Sequence, residues 1–191
     1  IILWINYLFF EQHKKIEEFV TQDPNNLKLK IDQSDNLYVL GEIENSKNHK
    51  LKAIEAFQKS LEIKKELAGK YPYPNQKETD GWKKAMENTM RRLSDIEYEQ
   101  GNKKKALEID LQRVDLMKEV VEKNPGDIYC LRTLGWIFGN IKEREDFDNI
   151  EREREIRLKE IDIYYKLLKE VEVVEIGDFF NCTLDLCQLL D

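Results

Sequence analysis

Glycine and proline are both scarce here, 8 and 4 in 191 residues, which argues against a turn-dense β fold and favours long uninterrupted helices. Cysteine is scarce too. Cys130, Cys182 and Cys187 are an odd number with no framework spacing, so free thiols and a reducing, cytoplasmic setting are expected rather than a disulfide scaffold. There are two histidines, His13 and His49, each in polar or charged surroundings without a convergent ligand pair, and both read as surface residues. No glycine-rich phosphate loop, nucleophile elbow or acidic cation loop occurs, so no cofactor, no metal and no catalytic residues are expected and the chain reads as a non-enzyme. An excess of positive charge is also missing. With 31 Lys and Arg against 38 Asp and Glu the net charge is −7, which disfavours nucleic acid and anionic membrane as partners.

Long hydrophobic runs are absent as well. Residues 1–10 are almost wholly apolar, but about 20 residues are needed to span a bilayer. No basic leader precedes them and no small-residue cleavage site follows, so a signal peptide is not expected. The chain opens on Ile1, and the expectation is a piece of a longer polypeptide. At the other end Phe179, Phe180, Leu184, Leu186, Leu189 and Leu190 form a second apolar stretch. Both ends therefore predict contact with missing chain, another subunit or, for the N-terminal one, the end of a membrane anchor.

What the sequence does have is charge in abundance, 36% of residues, and an internal repeat. Leu40-Gly41-Glu42-Ile43 returns as Leu93-Ser94-Asp95-Ile96, 53 residues on; at the same offset Ala53 meets Ala106, Lys65-Glu66 meets Lys118-Glu119 and Pro72 meets Pro125. Leu134-Gly135-Trp136-Ile137 is a third copy, 41 residues after the second. Each unit reads as two helices. Ala53, Ile54, Phe57, Leu61 and Leu67 lie at helical spacing before Pro72, and Trp82, Met86, Met90, Leu93 and Ile96 make a stripe that stops near Gly101, a residue suited to a left-handed helix end. Leu107, Leu111, Val114, Met117 and Val121 mark the next helix, closed by Pro125. Helices over about 1–21 and 128–141 and a long charged one over about 144–174 complete the reading, the last carrying Glu153 with Arg157 and Glu155 with Lys159 at i,i+4.

These residues resemble the tetratricopeptide repeat family in a long-helix form. Leu37, Leu40, Gly41, Ala53, Phe57 and Ser60 match its sequence of large, leucine, small, alanine, aromatic and small residues. The second unit keeps Met90, Leu93, Ser94, Gly101-Asn102 and Ala106 but has Asp110 and Arg113 where an aromatic and a small residue belong. The third keeps Leu131, Leu134, Gly135 and Phe138, then departs at Phe147. The resemblance implies an all-α fold: a right-handed α-α superhelix of about three to four helical hairpins in a single domain over 1–191, with units at about 34–72, 77–125 and 128–174 and partial flanking helices at 1–21 and 178–191. Close helix approach would fall at Gly41, Ser94, Gly135, Ala53 and Ala106.

In that family the first helix of each pair lines the concave face, which here implies a groove carrying Tyr38, Glu42, Arg91, Arg92, Asp95, Tyr129, Arg132 and Trp136. Aromatics among arginines concentrate binding energy, and suit an acidic protein or peptide segment with an apolar anchor. Tyr38, Glu42, Arg92 and Thr133 stand where the family's chaperone-tail clamp has lysine and asparagine, so that ligand is not expected. The function implied is a protein-protein interaction scaffold. The alternative is a regulatory or sensor segment of a larger bacterial signalling or defence protein whose catalytic domain lies elsewhere.

Overall fold

The computed structural model describes residues 2–71, 81–144, 154–156, 158–163 and 166, with side chains from residue 10 onward. It is all-helical among those residues: α1 (Ile2–Gln22), α2 (Leu27–Ser46), α3 (Lys50–Lys70), α4 (Gly81–Glu99), α5 (Lys103–Lys123) and α6 (Ile128–Arg144), with residues 154–156 and 158–163 helical beyond them. The expected helices at 1–21 and 128–141 are present. Most of the long charged helix and the whole apolar stretch after Gly177 lie outside the described residues. The chain forms two compact units, residues 1–96 and 97–191.

In the first unit α2 packs on α1 and on α3. Gly41 shows why a small residue is required: a Cβ there would stand 2.7 Å from the Phe57 ring, and Phe57 is wholly buried against it. Leu37, Ala53, Ile54 and Leu67 fill the rest of that layer, and the α4 stripe of Trp82, Met86, Met90, Leu93 and Ile96 is buried throughout. Trp82 Nε1 donates to the Tyr71 carbonyl at 3.1 Å, which ties the end of α3 to the start of α4. In α1 the partly buried positions His13, Ile16 and Val20 share one side. His13 is thus only partly exposed; its side chain is 13% exposed, with Nε2 3.6 Å from Glu17. The apolar periodicity of Ile16 and Val20 carries it inward. His49, by contrast, is exposed as expected.

In the second unit α5 packs on α6. Val114, Met117 and Val120 meet Cys130, Leu131, Leu134, Ile137, Phe138 and Ile141, joined by Ile156 and Ile163 from the last helical stretch. Cys130 is a buried free thiol. The departures from the family pattern in α5 are also inside. Asp110 is fully buried and accepts from Arg113 Nη1 at 2.7 Å and from Arg144 Nη1 at 2.6 Å, while the Arg144 guanidinium lies over the Tyr98 ring at 4.9 Å. An ionic cluster thus occupies the place of the aromatic-on-small contact and ties the end of α6 to the middle of α5.

The repeat extends to the hydrogen bonds of the turns. Between α2 and α3 the Asn48 amide donates to Asn45 O and the His49 amide to Glu44 O, both at 2.9 Å; between α4 and α5, 53 positions on, Gly101 donates to Tyr98 O and Asn102 to Glu97 O, again at 2.9 Å. Asn48 and Gly101 both take positive φ, 62° and 81°, as an end in the left-handed region requires. In each turn a buried glutamate is held by the side chain five residues later: Glu44 Oε2 lies 2.8 Å from His49 Nδ1, and Asn102 Nδ2 donates to Glu97 Oε2 at 2.8 Å. The corners before α2 and α6 match likewise, 101 positions apart. Asn26 N donates to Asp23 O and Asp127 N to Asn124 O, and the Asn26 and Asp127 side chains cap the Leu29 and Cys130 amides at 3.2 and 3.0 Å.

Candidate functional site

Of the eight residues expected on the groove, three meet in the first unit. Arg92, on α4, sets its guanidinium fork on the Glu42 carboxylate of α2, Nε to Oε1 and Nη2 to Oε2, and also donates to the Tyr38 hydroxyl. The Glu42 bond raises the Arg92 pKa. Tyr38, one helical turn before Glu42, is partly buried; burial first, and then the Glu42 charge, raise its phenol above the ordinary value despite Arg92 and Arg91. Its ring stands edge-on to Phe57, centroids 5.4 Å apart at 67°. Arg91 and Asp95 are partly exposed on α4. Arg92 is therefore engaged inside the chain by Glu42, and this part of the surface is close to electrically balanced.

The other three lie on α6 in the second unit. Tyr129 is 43% and Trp136 67% exposed, with Arg132 exposed between them. The spacing i, i+3, i+7 puts them on one face of the helix. Their direction follows from the rest of α6, whose Cys130, Leu131, Leu134, Ile137, Phe138 and Ile141 fill the core and turn this face outward.

Beneath Tyr38 lies a residue that sequence reasoning missed. Lys64, on α3, is 5% exposed, with Nζ 5.0 Å from the centroid of the Tyr38 ring. It donates to Ser60 Oγ at 3.2 Å and to Thr89 Oγ1 at 2.9 Å. Those hydroxyls direct their own protons elsewhere, Ser60 to Ser34 O at 2.8 Å and Thr89 to Ala85 O at 3.1 Å, which leaves their lone pairs for the amine. Burial pushes the Lys64 pKa down to about 8, against a smaller opposing pull from Asp35. The signal was available: Lys64 falls seven residues after Phe57 on the buried stripe, and its repeat partner 53 positions on is Met117.

Two open clefts accompany these clusters. One, of about 350 Å³, lies among Phe10, His13, Leu37, Leu40 and Ala56 in the first unit; the other, of about 450 Å³, lies among Leu131, Leu134, Phe138, Leu158 and Ile163 in the second. Lysines and glutamates wall both. None of the eight expected residues lines either cleft. No protein-family model matches the chain, and a search of curated proteins finds no relative.

Proposed function

We propose that the chain is a tetratricopeptide-like scaffold that binds a protein or peptide segment and carries no chemistry of its own. The carrying observation is the α6 face, where an exposed tryptophan and tyrosine flank an arginine. Tryptophan is seldom left this open on a surface, and Trp, Tyr and Arg are the residue types that dominate interface energies. The turn-by-turn repeat supports stacking of the hairpins into a right-handed superhelix with α2, α4 and α6 lining its concave face. The partner segment would place an apolar or aromatic side chain on Trp136 and Tyr129 and a carboxylate on Arg132. Because Glu42 engages Arg92, the first unit would supply shape and the Tyr38 ring.

Site-specific photo-crosslinking tests this reading. The replacement Trp136→p-benzoylphenylalanine is compared in cell extract with the same replacement at Leu51, which is 78% exposed and off the proposed face. A discrete adduct from position 136 and none from 51 is expected. Equal, diffuse labelling from both positions would remove the reading.

A further inference from the structure

We infer that Lys64 is a positioning residue for the binding face: sealed between α2, α3 and α4, its amine fixes the Tyr38 ring from beneath, at a cost to the stability of the fold. The functional half of this rests on the scaffold reading above, while the structural half does not.

Lys64 stands on the buried stripe of α3, where the repeat otherwise carries an apolar residue. At the equivalent position of the next unit the chain has Met117, fully buried, so the position accepts an apolar side chain of similar length. A lysine there must be taken out of water, and no ion pair offsets that among the described residues, since its two bonds are to the neutral Ser60 and Thr89 hydroxyls. Buried charge without a close counter-ion lowers stability. Ser60 is nevertheless placed to receive the amine, being bonded onward to Ser34 O, as Thr89 is to Ala85 O.

What Lys64 reaches through this nest is Tyr38. Phe57 meets the ring edge-on, Arg92 holds the hydroxyl and the Lys64 amine stands over the ring, an attraction that strengthens when the cation is desolvated. Three side chains, two from α3 and one from α4, thereby fix one partly exposed aromatic. Fixing such a ring before binding removes part of the ordering cost that an interface side chain otherwise incurs. The position costs stability and serves the surface.

The full chain, labelled on its tyrosine ring carbons and observed by NMR, tests both halves. The charged groups around Lys64 and Tyr38 are Asp35 and Glu42 on α2 and Arg91 and Arg92 on α4, none of a type that titrates near pH 8. The Tyr38 resonance of the unaltered chain should therefore shift with a midpoint near the Lys64 value of about 8. Lys64→Met should abolish that titration, raise Tm by roughly 2–6 °C and weaken a ligand crosslinked at position 136 several-fold. A Tyr38 signal that ignores pH between 7 and 9, or a fall in Tm in Lys64→Met, would overturn the positioning role. A ring that titrates as expected, joined to unchanged ligand binding, would keep Lys64's hold on Tyr38 and count against the place of Tyr38 in the binding face.

Discussion

Lys64 is a single buried side chain whose charge opposes folding. A lysine lowered to about pKa 8 in the folded state, against about 10.4 unfolded, binds fewer protons when folded over that interval. Stability therefore increases with pH from about 8 to about 10.5, and the penalty is fully present below 8. The difference in urea-unfolding free energy between Lys64→Met and the unaltered chain should accordingly shrink, by up to roughly 3 kcal/mol, across that window. A difference that is flat with pH would mean that Lys64 is charged in both states or neutral in both. Truncation at the Asp110 cluster should lower stability where Lys64→Met raises it. Asp110→Ala removes the carboxylate between Arg113 and Arg144 and should cost about 3–5 kcal/mol, whereas replacing all three by apolar residues of similar volume should cost far less. Denaturation of both variants decides it.

Among the helices, what was legible in the sequence was whatever rests on periodicity and backbone need. The α4 stripe from Trp82 to Ile96, the small residue at Gly41 and the stop at Gly101 were all readable, because apolar spacing and a positive φ leave marks in residue type. His13 was not, since local polarity suggested surface while the stripe on which it lies is set by Ile16 and Val20. Asp110 and Arg113 were seen only as departures from a pattern. Asp110's second partner, Arg144, is 34 residues away, and such pairing leaves no local trace. Nor could the sequence show that Arg92 is held by Glu42, 50 positions away. The turns offer a direct check on the repeat. Gly101→Ala should destabilise by about 1–2 kcal/mol because φ is 81° there, while Asn48→Gly, at φ 62°, should be neutral or mildly stabilising. Thermal unfolding of the pair would show these opposite responses if the two turns are built alike.

At the scale of the whole molecule the sequence indicated helical hairpins in series, and the matched turns and corners agree with that. None of its described helices is long and apolar enough to cross a membrane. The proposed interface is unevenly provided: the first unit holds an internally balanced Tyr38, Glu42 and Arg92, and the second presents Tyr129, Arg132 and Trp136 outward. Binding energy should follow that division. The most direct test is the affinity of a segment crosslinked at position 136 for three forms of the full chain: unaltered, Trp136→Ala and Arg92→Ala. Trp136→Ala should lose at least about 2 kcal/mol, or roughly 30-fold in Kd, and Arg92→Ala should lose much less. Equal losses, or an affinity indifferent to Trp136, would contradict a scaffold that binds through the α6 face.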